Sequence, residues 1–356
     1  MSLRALTAAL VLVSCGGATA RPVGRGELTL HGGVYTDRDQ VTVWNPAVRA
    51  RVPVSRGTLV TGSYGVDLIS AASVDVVASA SRVVEQRHEG ALGARTTLDG
   101  RTAVEATARL SVEPDYRSLS GSFAWERETE DRHRTVRLEL RGRRDEAGPG
   151  WVLQRPETLR AVAGSALVTQ VVSARTLVRV GLQAEHLQGW QASVYRFVPV
   201  DGAWYPERLP EARTRASATV RVLRSLAPTV SLSGEYGASL DGWGVMVNAV
   251  DTSVRWETAP WLVLEGRARV LRQERAVFYQ GTYGALTVYR TRDRLLGGYT
   301  AFWPMVTARV QLPSWPAERR WELGASASWL HQRFDDFPLL PVRDALTAEL
   351  WLSRYF

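Results

Sequence analysis

Charged side chains recur at every second position deep inside the extended segments of this chain, and no other feature restricts its fold as much. In Arg101–Glu113, Val104, Ala106, Ala108, Leu110 and Val112 alternate with Arg101, Glu105, Thr107, Arg109 and Glu113. In Thr135–Arg143, Val136, Leu138 and Leu140 alternate with Arg137, Glu139, Arg141 and Arg143. Thr58–Ile69 and Trp261–Leu271 repeat the pattern, the second with Leu262, Leu264, Ala268 and Val270 opposed to Glu265, Arg267 and Arg269. Successive side chains of a strand point to opposite faces, so a period of two means strands. A soluble sandwich accepts such rows only where one whole sheet face is wet. A transmembrane barrel, apolar outside and polar within, requires them on every strand.

About sixteen strands follow from the pattern, with about fourteen as the fallback count. They start near Glu27, Val41, Thr58, Val84, Arg101, Arg117, Arg132, Glu157, Thr176, Ala212, Thr229, Val245, Trp261, Tyr299, Arg320 and Arg343. Tight connections, such as Asp99-Gly100 and Ser173–Arg175, alternate with longer ones at 70–83, 144–156, 189–211, 276–298 and 335–342. The expected fold is all-β, an up-and-down antiparallel transmembrane β-barrel forming one domain over 21–356. Aromatic residues cluster near the strand ends. Trp256, Trp261, Trp315, Trp321, Tyr355 and Phe356 fall on the short-turn side; Trp44, Tyr116, Trp190, Trp243 and Trp329 fall on the other. Two such belts suit the headgroup zones of a bilayer.

The ends of the chain point the same way. Leu350, Leu352 and Phe356 share a strand face ending in an aromatic ring, as in the signal that presents outer-membrane barrels to their assembly machinery. Residues 1–20 read as a signal peptide, with Arg4, an apolar run over Ala5–Val13 and a small-residue site at Ala18-Thr19-Ala20. Leu12-Val13-Ser14-Cys15 offers an alternative, lipidation at Cys15, the single cysteine. The expected location is the bacterial outer membrane, in contact with outer-membrane lipid. Every one of the 44 basic residues is Arg, against 36 acids, and removing residues 1–20 deletes only Arg4 from that surplus.

Parity along the strands assigns Arg87, Arg95, Arg101, Glu105, Arg109, Arg137, Glu139 and Arg141 to the lumen, and Arg179, Glu185, Arg215, Arg221, Arg255, Glu265, Arg267 and Arg269 with them. Most of these residues brace neighbouring strands in this reading, and the Arg surplus gives any open lumen a weak preference for anions. The segment 70–83 is poor in turn residues for a solvated loop. Ser73, Val74, Asp75 and Val76 are therefore expected to fold over the lumen and narrow it, the alternative being a plain extension of the flanking strands.

Several segments resemble a bacterial family of unknown function whose members are taken to be outer-membrane β-barrels. They are Asp67–Ser81 with Glu85-Gln-Arg-His-Glu89, Glu113-Pro-Asp-Tyr-Arg-Ser118, Pro210-Glu-Ala-Arg-Thr-Arg215, Asp241-Gly-Trp-Gly244, Arg290-Thr-Arg-Asp293 and Phe334-Asp-Asp-Phe337. The matches run in order over nearly the whole chain. The resemblance implies a barrel and no activity. Its members often lie near genes for periplasmic flavin-transfer and thioredoxin-like proteins, which hints at extracytoplasmic redox physiology.

No catalytic residue, metal site or cofactor is expected. Asp131-Arg-His133 falls in a turn on the wrong side for an outer-membrane aspartyl-type protease, and His88 faces away from Glu85, Arg87 and Glu89. Asp37, Asp39, Asp335 and Asp336 match no Ca²⁺ loop and read as solvated loop acids. Nucleic acid is not an expected partner, since no basic stripe carries interleaved aromatics. The functional expectation is a porin-like passive channel for small solutes. The alternative is a closed structural barrel, or one that binds a periplasmic partner protein in a redox or envelope system.

Overall fold

The computed structural model describes residues 26–39, 41–71, 83–148, 156–193, 195–313 and 320–356. Nineteen strands follow in chain order. They are β1 (Glu27–Asp37), β2 (Thr42–Trp44), β3 (Ala47–Pro53), β4 (Thr58–Ala71), β5 (Val83–Thr97), β6 (Thr102–Val112), β7 (Tyr116–Glu128), β8 (Arg134–Ala147), β9 (Glu157–Ser173) and β10 (Thr176–Gly189). Then come β11 (Phe197–Val200), β12 (Ala203–Pro206), β13 (Ala212–Ala227), β14 (Val230–Asp241), β15 (Met246–Ala259), β16 (Leu262–Gln273), β17 (Tyr299–Leu312), β18 (Arg320–Phe334) and β19 (Val342–Tyr355).

β2 and β3 form one stave. Both pair with β1, and the register runs through the gap, with Trp44 opposite Val34 and Ala47 opposite His31. The interruption is Asn45-Pro46, where Pro46 has no N–H to give the ladder. β11 and β12 make a separate hairpin. Sixteen antiparallel staves remain, and β1 closes them against β19, from Glu27 opposite Tyr355 to Asp37 opposite Ala345. One step beyond, Gly26 and Phe356 exchange both backbone hydrogen bonds, at 2.7 and 3.0 Å.

The two faces separate by side-chain chemistry. Leu92, Leu110, Leu119, Leu138, Leu140 and Val162 stand exposed on one. On the other, ion pairs reach across an intervening strand. Arg95 of β5 meets Glu126 of β7 at 2.7 Å, and Arg137 of β8 meets Glu105 of β6 at 3.0 Å. Side chains converge in this way only on the concave face, so the charged face lines the lumen.

Connections at one end are short, and the Asp99 turn shows how. The Asp99 carboxylate accepts the N–H groups of Arg101 (3.0 Å) and Thr102 (2.6 Å), which hold it below the usual carboxylate range. Gly100 supplies the positive φ, +75°. This turn corrects one expectation. Arg101 lies outside β6 and pairs at 2.8 Å with Glu130 of the neighbouring turn, so it sits at the rim and not along the lumen wall. Asp131 and His133 form a second solvent-exposed turn of this kind. The segment 1–20 expected to be a signal peptide, including Cys15, and the residues expected to form a constriction, Ser73, Val74, Asp75 and Val76, lie outside the described residues.

Near the seam of the barrel, Gly324 of β18 stands opposite Trp351 of β19, whose indole fills the space a Cβ at 324 would need. Gly324→Ala is expected to displace the ring and lower the thermal unfolding midpoint of the detergent-folded protein, at a cost of about 1–3 kcal/mol. Gly266→Ala, where nothing lies within 4 Å, should leave the midpoint unchanged. Equal midpoints for both variants would contradict the packing described.

Candidate functional site

The lumen wall is a ladder of ion pairs. Arg87 holds Asp67 at 2.6 Å, Arg137 holds Glu139 at 3.3 Å, and Arg141 holds Glu139 at 2.8 Å. Arg109 and Glu89 stand 3.6 Å apart, Arg215 and Glu185 3.6 Å, Arg221 and Glu235 3.9 Å, and Arg309 and Glu265 3.7 Å. Arg255 pairs with Glu257 at 3.1 Å, and Arg267 Nε donates to Asp251 at 2.8 Å. The lumen residues expected from parity thus fall on one face, Arg101 excepted. The acids Glu126, Asp145, Asp241 and Asp251 were missing from that expectation, and each neutralises an arginine: Arg95, Arg143, Arg213 and Arg267. Glu126 escapes a simple odd-numbered count because β7 turns its even positions inward, in the row Ser118, Ser120, Ser122, Ala124 and Glu126. Among the described residues, Arg49, Arg179 and Arg269 form no ion pair. Arg179 faces a second arginine, Arg221, across the β10–β13 ladder.

This interior is wet. The side chains of Arg109 and Arg141 keep 55% and 49% of their surface accessible although both lie on the concave wall. A packed barrel core would leave neither.

At the opposite end from the short turns, the long loops build a cap with its own apolar cores. Trp243, Val245, Ala276, Tyr279 and Leu296 form one, and Val198, Val200 and Tyr283 another. The β14–β15 turn sets Trp243 in place. Asp241 accepts the N–H groups of Trp243 (2.8 Å) and Val245 (3.1 Å), and Gly244 takes φ +84°. Arg213 lies 4.1 Å above the Trp243 ring and pairs with Asp241. Arg208 and Arg290 exchange backbone hydrogen bonds (3.0 and 2.8 Å), tying the 190–211 loop to the 274–298 loop. Beneath them the buried Glu207 carboxylate receives Ser193 N–H at 2.6 Å, the Thr291 hydroxyl, and Arg196 at 3.3 Å. Burial pushes this carboxyl up, against the pull of Arg196. At the β6–β7 turn, burial pushes Glu113 up to about 7, opposed by Arg87 and reinforced by Asp115 and Glu85.

Of two buried ion pairs beside the β1–β19 seam, one anchors the cap and the other joins the two seam strands beneath it. Arg294 of the 274–298 loop reaches Asp39 of the β1–β2 turn at 2.8 Å, both side chains almost fully buried. Arg343 of β19 holds Asp37 at 3.1 Å, and the Tyr35 hydroxyl donates to the same carboxylate at 2.7 Å. Asp335 pairs with Arg272 (2.8 Å), and Asp336 accepts Gly281 N–H (3.0 Å). All four acids had been expected to be solvated, and the structure corrects that for Asp37 and Asp39, whose carboxylates are buried, while Asp335 remains exposed beside Arg272. Trp243 likewise sits in the cap core and not in an interfacial belt, whereas Trp44, Trp256, Trp261 and Trp329 are exposed at strand ends. Sequence reading located the long loops but not their packing. The signal was present in Asp241–Gly244, Arg290–Asp293 and Phe334–Phe337, the segments that carried the family resemblance.

Removing one partner of a buried pair leaves an uncompensated charge, at about 3–5 kcal/mol. Arg294→Gln is therefore expected to release the 274–298 loop, seen as lost amide exchange protection at Leu296 and Thr291, with the strands unaffected. Unchanged protection there would show that Asp39–Arg294 does not hold the cap.

Comparison with known proteins agrees with this architecture. Residues 151–302 match a family described as protein of unknown function (DUF3570), and no curated protein matches the chain. Among solved structures, a bacterial polysaccharide outer membrane secretin superposes with a TM-score of 0.55 at 10% identity, covering 94% of this chain and 99% of that one. OmpT of Vibrio cholerae gives 0.47 at 10% identity, covering 93% and 96%. A FadL homologue of Pseudomonas aeruginosa gives 0.43 at 11%, covering 93% and 90%. At such identities the first of these speaks for the fold alone. The chain is a sixteen-stranded barrel of the outer-membrane type that carries, over residues 151–302, the match to this family of unknown function.

Proposed function

We propose that the barrel is a passive channel for small solutes in the bacterial outer membrane, with the capped end outside and the short turns facing the periplasm. The observation that carries this reading is the accessibility of the paired charges on the concave wall, since a barrel serving only as a wall would fill its interior. Arg109 and Arg141 remain half open to solvent in the middle of the ladder.

Selectivity follows from the charges left over. Glu126, Asp145, Asp241 and Asp251 cancel much of the arginine surplus, so the anion preference rests on Arg49, Arg179 and Arg269 and is weak. Assembly-machinery recognition of Leu350, Leu352 and Phe356, and contact with outer-membrane lipid, belong to the same reading. No enzymatic step is assigned to it. The second reading is a closed barrel that docks a periplasmic partner protein, and the rigid, internally cored cap favours it.

Planar-bilayer recordings separate the two. A channel gives discrete conductance steps, with a reversal potential under a KCl gradient displaced slightly toward the anion. Arg179→Glu should move that potential toward the cation, because the reversed charge then faces Arg221. Absence of steps at any voltage would favour the closed barrel. Steps whose selectivity ignores Arg179→Glu would refute the assignment of selectivity.

A further inference from the structure

Among the described residues, one pair of exposed arginines on the outer surface stands directly opposed in the ladder. Arg144 of β8 and Arg160 of β9 are directly opposite in the ladder, both exposed and both pointing away from the lumen. Arg117 of β7 lies a diagonal step away, since it faces Glu146 while Arg144 faces Leu119. On the other flank, Gln188 of β10 stands opposite Arg160 and adds an amide donor. Like charges directly opposite one another destabilise a sheet. Within the lumen most arginines answer this with an acid. Here Glu146 takes one bond from Arg144, at 3.0 Å. Among the described residues, Arg117 and Arg160 form no ion pair.

The row also has a defined height. Toward the middle of the barrel the same outward face continues as Leu119, Leu140 and Val162, all exposed and apolar. Toward the capped end the strands finish within a few residues, at Ala147 on β8 and Glu157 on β9. The cations therefore border the apolar belt where a bilayer's headgroups begin. Directly opposed side chains on a sheet lie about 5 Å apart, which lets two guanidinium forks share the oxygens of one phosphate.

We propose that Arg117, Arg144 and Arg160 bind the phosphate groups of an anionic lipid of the outer leaflet, its acyl chains lying on Leu119, Leu140 and Val162. The inference rests on the membrane-embedded part of the proposed function, not on conduction, so a barrel without channel activity would leave it standing. Free phosphate offers the same anionic chemistry. The position at the edge of an apolar surface selects the lipid, because only the lipid also covers that surface.

The test uses the full barrel folded in detergent. Native mass spectrometry follows binding of a diphosphorylated glucosamine lipid, its dephosphorylated analogue, and the phosphorylated lipid with millimolar inorganic phosphate as competitor. The variants are Arg160→Gln, the double variant R144Q/R160Q, and a control, R127Q/R134Q, on outward residues of the short-turn end. The expected result is binding of the phosphorylated lipid to the wild type. It should weaken at least about tenfold in R144Q/R160Q, from loss of charge-assisted hydrogen bonds, and by a smaller factor in Arg160→Gln. The control should stay within about twofold, and inorganic phosphate should not displace the lipid. Retained affinity in R144Q/R160Q, an equal loss in the control, or equal binding of the dephosphorylated lipid would overturn the proposal. Displacement by inorganic phosphate would mark a free-anion site and overturn the lipid assignment. Unchanged thermal unfolding of each variant, expected for exposed residues, shows that a loss is local.

Discussion

The pairing of β1 with β19 is the contact on which everything else depends. Hydrocarbon offers no partner to a backbone N–H or C=O, so a sheet survives in a bilayer only when it has no edge. Eleven consecutive residues of β1, from Glu27 to Asp37, find partners on β19, and Gly26 and Phe356 extend the match by one more step. Closure fixes which face is concave. It thereby fixes which half of each alternating strand meets lipid and which meets the lumen. The ion pairs Arg95–Glu126 and Arg137–Glu105, each spanning an intervening strand, exist because the wall curves toward them.

That curvature shifts the energetic burden of the fold. An outward face against lipid gains little from side-chain association, and a wet inward face gains little from burial. Stability rests on the backbone ladder, supplemented by paired charges, each worth no more than a modest amount when accessible. Apolar packing of the soluble kind appears instead in the cap, where Trp243, Tyr279 and Leu296 form a core that no strand pattern announces. The fully desolvated pairs lie there too, at Arg294–Asp39 and Arg343–Asp37. A buried pair adds little net stability, yet it penalises any arrangement that separates its partners. Arg294–Asp39 specifies where the loop sits, and Arg343–Asp37 holds the two seam strands together beside it.

Sixteen staves and the two faces were legible in the sequence because a strand's period is local and parity survives from end to end. The broken stave at Asn45-Pro46 was read as one strand for the same reason, since the register passes through the gap. The cap was not legible. Arg294 and Asp39 are far apart in sequence, and nothing near either residue says that the other will cover it. Asp37 and Asp39 therefore read as solvated acids. The lumen's charge balance failed more subtly: β7 turns even positions inward, so Glu126 fell outside an odd-numbered tally, and Asp145 fell within the stretch assigned to the 144–156 connection. Arg101 went the other way, counted as wall although the Asp99 turn holds it at the rim.

The central claim is that one face of every stave meets lipid and the other meets water, and thiol accessibility measures it most directly. With Cys15 replaced by Ser, single cysteines are placed at Thr107 and Ser122 on the concave wall and at Leu110 and Leu138 on the convex one. The protein in liposomes is then exposed to a charged, membrane-impermeant maleimide. The account predicts labelling at Thr107→Cys and Ser122→Cys, and protection at Leu110→Cys and Leu138→Cys. Labelling of the leucine positions with protection of the other two would contradict it.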